Sequence, residues 1–109
     1  MKFKEALIEN NAILLQATAA DWREAIKLGT DMLIKSGAVT PDYHRAIISS
    51  IEAHGPYVVI APQFAMPHAR PEDGVVRTAF ALVTLTTPVL FEGESEPVDV
   101  LVTLAGSSS

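Results

Sequence analysis

The stretch HGPYVVIAPQFAMPHARPEDG, residues 54–74, decides how the rest of this chain is arranged. It holds four prolines, Pro56, Pro62, Pro67 and Pro71. Because proline fixes φ and removes a backbone donor, the stretch can be neither one long helix nor a central strand. The apolar runs YVVI and FAM between the prolines also exclude a solvated linker. We therefore predict a short buried strand followed by a rigid, shaped loop.

Two helices are predicted on the N-terminal side of this stretch. Asp21 is a good N-cap for the first helix, which has apolar residues at helical spacing and is expected to end at Gly37. The second helix opens at Thr40-Pro41, where a capping side chain precedes proline at the first helical position. Gly55 and the proline after it end that helix. Both helices therefore precede the proline-rich stretch.

Strands account for the other apolar segments. We predict strands at residues 12–17, 58–61, 77–86 and 98–104. Thr87-Pro88 is expected to end the third of these, which leaves residues 89–91 as a separate extended piece and residues 92–97 as an acidic loop. Residues 2–9 show a weak helical pattern. Helices interleaved with strands favour an α/β layered domain.

The composition favours a single domain, and the cytoplasm is its simplest location. A chain of 109 residues, 49% of them hydrophobic, suits one domain, residues 1–109, with a modest core. The net charge of −5 and the lack of a Lys/Arg-rich run argue against nucleic acid and anionic membranes as partners. The chain has no cysteine, which excludes disulfides and suits a reducing compartment, and its apolar runs are too short to span a membrane.

His68 is the first candidate for chemistry, because it lies in the shaped loop and histidine titrates near neutral pH. A neutral imidazole nitrogen can accept a phosphoryl group and later release it. Arg70 could supply charge-assisted donors to the phosphoryl oxygens. Backbone N–H groups from Ala69 onward could supply further donors. The local residues leave open that His68 is a surface histidine without a role.

Several polar residues are candidates for supporting roles. They are Ser50, Tyr57, Gln63 and His54. His54 either caps its helix, where it complements the helix dipole, or acts beside His68. His44 is expected to be a solvated surface residue. The three histidines lack metal-site spacing, so we expect no metal. A small hydrolase using His68 with Glu72 or Asp73 is a weaker alternative, because no nucleophile, base and orienting group can be identified together.

Three motifs resemble the active-site segment of enzyme IIA components of the bacterial sugar phosphotransferase system. They are HGPY at residues 54–57, IAP at 60–62 and AMPHARPEDG at 65–74. The flanking DW at 21–22, VTPDY at 39–43 and PVDVLVTL at 97–104 agree with this. The chain is similar to the mannitol/fructose type, and most similar to the ascorbate branch. An α/β sandwich with a mixed β-sheet flanked by helices is the fold that this resemblance implies.

The resemblance also implies a function. Enzymes IIA receive a phosphoryl group on a histidine from the phosphocarrier protein HPr and pass it to a cysteine of enzyme IIB, which serves the membrane permease. His68 matches the phosphorylated histidine. No dissociable cofactor is implied. A regulatory module that senses phosphorylation state is an alternative with the same type of domain.

The sequence departs from the family pattern in two places. Family members typically continue past the second long strand into helices that carry a second active-site histidine, whereas this chain ends in AGSSS with no histidine after His68. We therefore expect a C-terminally short domain, an uncovered apolar sheet face, self-association through that face, and an inactive fragment as one alternative. Mannitol-type members also carry an arginine where this helix offers Ser50, and Arg70 could replace it.

Overall fold

A computed structural model describes residues 12–107, and in this part of the chain a five-stranded sheet carries the fold. The strands are β1 (Ile13–Ala17), β2 (Val59–Ala61), β3 (Gln63–Ala65), β4 (Ala79–Val89) and β5 (Val98–Ala105). They lie in the order β1-β4-β5-β3-β2. The β1–β4 and β3–β5 pairs are parallel, and the β4–β5 and β2–β3 pairs are antiparallel. The predicted mixed sheet is confirmed, while the weak helical pattern at residues 2–9 lies outside the described residues.

Two helices, α1 (Trp22–Lys35) and α2 (Pro41–His54), precede β2. Asp21 caps α1 as predicted, since its Oδ1 accepts a hydrogen bond of 2.9 Å from the Glu24 N–H. Gly37 follows the end of α1 with a φ of 81°, in the left-handed region that favours glycine. Neither helix in residues 12–107 is long and apolar enough to cross a membrane.

The start of α2 differs from the prediction. Within residues 12–107, the Thr40 side chain makes no capping hydrogen bond. Its carbonyl accepts from the Tyr43 N–H at 3.0 Å, and Pro41 has no N–H to satisfy. The Thr40 N–H donates to the Gly74 carbonyl at 2.8 Å, and a Cβ at Gly74 would come within 2.5 Å of Thr40 Oγ1. Backbone contacts therefore fasten the start of α2 to the end of residues 54–74.

Strand β4 also differs from the prediction, because Thr87-Pro88 does not end it. The strand continues to Val89, which pairs with Val98 of β5 after a register shift that begins at Thr84. Proline is tolerated there because the shifted, exposed segment does not need a regular ladder of N–H donors. Residues 89–91 are therefore not a separate extended element: their first residue belongs to β4.

Helix α1 packs across β4 and β5 on one face of the sheet. Along β4, alternate residues face this helix and are buried: Ala79, Ala81, Val83 and Leu85. Gly29 permits the close approach, because a Cβ there would lie 2.6 Å from Thr103 Oγ1. The intervening residues of β4 are partly buried, and the more exposed apolar side chains include Ile13 and Leu15 of edge strand β1. Self-association stays a prediction, to be checked by light scattering.

Residues 54–74 form a hairpin and a bend, where we had predicted one strand and a loop. Strand β2 matches the predicted strand, but β3 follows it after Pro62, with Gln63 at a φ of 68°. Strand β3 lies inside the sheet, between β2 and β5. It fits there because the prolines lie outside its three residues. Pro71–Asp73 then forms a 3-10 turn after the bend.

Candidate active site

A cleft of about 680 Å³ opens between α2 and the bend that follows β3. It is lined by Ala46, Ser49, Ser50, Ala53, His54, Tyr57, His68, Ala69, Arg70 and Asp73. The structure therefore brings together the predicted site residues Ser50, His54, Tyr57, His68 and Arg70. It places Gln63 elsewhere, in a smaller cleft beside Glu94 and Glu96 at the β2–β3 hairpin.

The bend around His68 is held by backbone hydrogen bonds on both sides. The Met66 N–H donates to the Val58 carbonyl at 2.8 Å, next to the start of β2. The Pro67 carbonyl accepts from the Leu104 N–H of β5 at 2.9 Å. Pro67 itself is fully buried, so the bend is anchored to the sheet directly before His68.

The His68 ring makes a hydrogen bond that determines which of its nitrogens carries the proton. Its Nδ1 lies 2.8 Å from the carbonyl oxygen of Met66. Because a carbonyl can only accept, we assign the proton of the neutral ring to Nδ1. The lone pair is then on Nε2, and the partly buried ring lines the cleft. The unprotonated Nε2 of a neutral imidazole is chemically able to act as a nucleophile.

Tyr57 packs against His68 and fixes its backbone. The Tyr57 ring stands edge-on to the imidazole, with centroids 5.3 Å apart and planes at 86°. Its hydroxyl donates to the His68 carbonyl at 2.5 Å. An edge-to-face pair of this kind restricts the rotation of the imidazole. Tyr57 therefore supports the orientation of His68 from the β2 side of the cleft.

Tyr43 is a site-forming residue that our sequence analysis did not identify. Its buried hydroxyl lies 3.0 Å from the Ala69 N–H, which donates to it, and donates to the Leu104 carbonyl at 2.7 Å. Burial raises the pKa of this hydroxyl above its ordinary value. The sequence did contain a signal for this contact, since Tyr43 lies on the apolar stripe of α2. A buried tyrosine hydroxyl usually has a hydrogen-bond partner, so a contact with another element could have been expected.

The Tyr43 contact also corrects our expectation that the backbone N–H groups after His68 would serve an anion. The Ala69 N–H is engaged by Tyr43, and the Arg70 N–H donates to Asp73 Oδ2 at 3.2 Å. Both donors close the bend itself. Side chains are therefore the better source of donors to a group on His68.

Arg70 is the cationic side chain beside His68 in this cleft. Its side chain is 75% exposed and pairs with Asp73, with the Nε–Oδ2 and Nη2–Oδ1 distances both 3.4 Å. Hydrogen bonding to Asp73, followed by the charges of Asp73 and Glu72, raises the pKa of Arg70. A permanent positive charge thus lies at the rim of the cleft.

His54 and His44 occupy different surroundings. His54 is exposed at the end of α2 and lines the cleft. His44 was predicted to be solvated, and this is wrong. It is partly buried between the helices, with its Nδ1 2.7 Å from the Thr30 hydroxyl, and burial lowers its pKa. Within residues 12–107, His, Cys, Asp and Glu side chains form no group of three that could hold a metal ion.

Comparisons with known proteins give consistent results for nearly the whole chain. Residues 6–109 match the family model "Phosphoenolpyruvate-dependent sugar phosphotransferase system, EIIA 2". The chain is 52% identical over 106 residues to the ascorbate-specific PTS system EIIA component of Salmonella typhimurium, and the match covers 96% of this chain and 69% of the relative.

Two solved structures show the same fold. A protein described as a PTS IIA (PtxA) from Streptococcus mutans superposes with a TM-score of 0.96 at 54% identity, over 99% of this chain and 69% of that one. The complex of enzyme IIAMTL with phosphorylated enzyme IIBMTL from Escherichia coli superposes with a TM-score of 0.77 at 26% identity, over 87% of this chain and 67% of that one.

Proposed function

The chain belongs to the phosphoenolpyruvate-dependent sugar phosphotransferase system EIIA 2 family, and from this premise we propose that His68 is its phosphorylated residue. EIIA components act in phosphoryl transfer within sugar uptake. The observation that supports His68 is the hydrogen bond from its Nδ1 to the Met66 carbonyl, which leaves the lone pair on Nε2 of a ring that lines the cleft. We further propose that residues 1–109 belong to one EIIA-type domain, short at its C-terminus, that acts in the cytoplasm.

The proposed reaction has two steps, both at Nε2 of His68. First, the Nε2 lone pair forms a bond to the phosphorus, while the bond from phosphorus to the donor nitrogen breaks and leaves its electron pair on the donor. The proton on Nδ1 stays hydrogen-bonded to Met66, whose carbonyl dipole stabilises the positive charge of the phosphorylated ring. In the second step an acceptor thiolate attacks the phosphorus, and the N–P electron pair returns to Nε2.

HPr is the proposed donor of the phosphoryl group. The proposed acceptor is a cysteine of enzyme IIB, and enzyme IIB in turn serves the permease. The complex of the mannitol protein with phosphorylated enzyme IIBMTL supports the IIB partner. The ascorbate-specific relative supports an ascorbate-like sugar. His54 and Tyr57 line the cleft and are both exposed, which supports access of a partner protein to His68.

The other cleft residues have distinct proposed roles. Arg70 binds the phosphoryl oxygens, because its guanidinium offers several donors in a fixed plane. Tyr57 orients the His68 ring. His54 and Ser50 face the same cleft and supply further donors to the transferred group. Gln63 has no part in this proposal, because it lines the other cleft.

The direct test is phosphorylation by the purified upstream components. The protein is incubated with phosphoenolpyruvate, enzyme I and HPr, and analysed by mass spectrometry at neutral to alkaline pH. We expect one acid-labile phosphate on His68, absent in His68→Ala and retained in the matched control His44→Gln. A folded wild-type protein that takes up no phosphate would overturn the proposal, as would a label that survives in His68→Ala.

A further inference from the structure

The guanidinium of Arg70 is held by a carboxylate of its own turn. Asp73 accepts from Arg70 at the backbone N–H (3.2 Å), at Nε (3.4 Å) and at Nη2 (3.4 Å). The Asp73 N–H in turn donates to the Arg70 carbonyl at 2.9 Å. Asp73 thus holds both the turn and the charged end of Arg70.

The backbone and side-chain contacts between Arg70 and Asp73 differ in how easily they can be broken. The backbone contacts close the 3-10 turn Pro71–Asp73 and belong to the fold. The side-chain contacts are long for charge-assisted hydrogen bonds, which are usually about 2.7–2.9 Å. The Arg70 side chain is also 75% exposed, whereas that of Asp73 is 24% exposed. An exposed ion pair of this length contributes little, so Arg70 can leave Asp73 at low cost.

Asp73 and an anion on His68 would compete for Arg70. His68, Arg70 and Asp73 line the same cleft. A phosphoryl group carries more negative charge than a carboxylate and offers three acceptor oxygens. It therefore attracts the guanidinium, while the negative charge of Asp73 opposes it by holding Arg70 and by repelling the phosphoryl group.

We propose that Asp73 is a positioning residue that holds Arg70 in the resting protein, releases it to the phosphoryl group on His68, and so limits how firmly the phosphorylated state is held. This inference rests on the proposed function of His68. A carrier must both accept and surrender its group, and a competing carboxylate lowers the stability of the phosphorylated form relative to the resting form. Asp73 thereby favours transfer of the phosphoryl group to the acceptor over its retention on His68.

The test is an equilibrium measurement. Phosphorylated HPr and the full chain are mixed, and the ratio of phosphorylated to unphosphorylated protein is measured for each variant. Asp73→Asn keeps an acceptor for the Arg70 N–H but removes the charge. We expect it to shift the equilibrium roughly two- to fivefold toward phosphorylated His68, a range typical of exposed ion pairs. Asp73→Ala is expected to shift it in the same direction.

Two controls separate this role from a structural one. Glu72→Gln removes the neighbouring carboxylate, whose charge affects Arg70 less than Asp73 does, and is expected to leave the equilibrium nearly unchanged. In an Arg70→Gln background, the gain from Asp73→Asn is expected to fall below about twofold, because coupled residues are not additive. Loss of structure would instead lower phosphorylation in both Asp73 variants.

The outcomes are distinguishable. If wild-type protein is phosphorylated and neither Asp73 variant shifts the equilibrium toward His68, the inference is overturned while the proposed function stands. An equal gain in the presence and absence of Arg70 would also overturn it. If the wild-type protein takes no phosphoryl group, the proposed function fails and this inference fails with it.

Discussion

The cleft around His68 and the contact region between α1 and α2 each contain a histidine whose Nδ1 makes a short hydrogen bond. In the cleft, the partner of His68 is the Met66 carbonyl, which can only accept. Between the helices, the partner of His44 is the Thr30 hydroxyl, which can donate or accept. The first contact places the proton of a neutral ring on Nδ1 and the lone pair on Nε2, whereas the second is compatible with either tautomer. The chemistry of the partner, and not the distance to it, therefore decides whether the tautomer of the ring is fixed.

Helix α2 serves both regions through consecutive residues. Tyr43 reaches the backbone of the bend and of β5, while His44 reaches α1. Single substitutions on one helix can therefore test the two regions separately.

Tyr43→Phe is expected to have the largest effect on stability. It leaves the Ala69 N–H and the Leu104 carbonyl without the hydroxyl, and the loss of a buried hydrogen-bonding group costs about 1–3 kcal/mol. Urea denaturation measures the free energy of unfolding, and a phosphorylation time course measures the effect on the site. We expect both to fall. Unchanged stability would show that the bend does not depend on this hydroxyl.

Arg70→Ala is expected to reduce the rate of transfer about tenfold, since charge-assisted hydrogen bonds to the phosphoryl group are lost. Its exposed side chain makes little contribution to the fold, so the melting temperature should change little. Single-turnover transfer from phosphorylated HPr measures the rate. A large fall in melting temperature with normal transfer would refute the role of Arg70 and leave a structural one.

Thr30→Val tests the helix contact region with a smaller expected effect. The buried hydroxyl of Thr30 lies 3.2 Å from the Ile26 carbonyl as well as beside His44. Its removal is expected to cost about 1 kcal/mol of stability, typical of one net hydrogen bond, and to leave transfer unchanged. Denaturation and the phosphorylation assay are run side by side. Loss of transfer would show that the two regions are coupled.

The smallest expected effect is a pH dependence of stability that comes from His44. Burial lowers the pKa of His44 in the folded protein, whereas the unfolded chain keeps the ordinary value of about 6.5. Between these two values the unfolded state binds more protons, so the free energy of unfolding falls as the pH drops below about 6.5. The loss stops below the folded pKa.

His44→Gln should flatten this part of the stability curve. Denaturation at a series of pH values, for wild type and variant, measures the slope. An identical slope in both proteins would contradict the assignment to His44.

The elements that have local signals were predictable from the sequence. Asp21 and Gly37 bound α1 as expected, because capping and left-handed glycine depend on neighbouring residues. Much of the cleft was also predictable, since Tyr57, His68 and Arg70 all lie in the proline-rich stretch, residues 54–74.

The errors involve contacts between residues that are distant in the sequence. Strand β3 exists because β5 pairs with it, and β4 continues past Pro88 because Val89 pairs with Val98. The His44–Thr30 contact depends on how two helices pack. Gln63 is close to His68 in sequence, but the hairpin turns it toward Glu94 and Glu96. Local sequence patterns do not show which distant segments pair, and such pairing can override local preferences.

Leu104 has a consequence for the order in which the protein is built. This residue of β5 donates to Pro67 and accepts from Tyr43, so it joins the bend to α2 across the sheet. During synthesis, residues 54–74 leave the ribosome well before β5 does. We therefore expect the bend that carries His68 to gain its final geometry in one of the last steps of folding, so that a nascent chain forms helices before it can be phosphorylated.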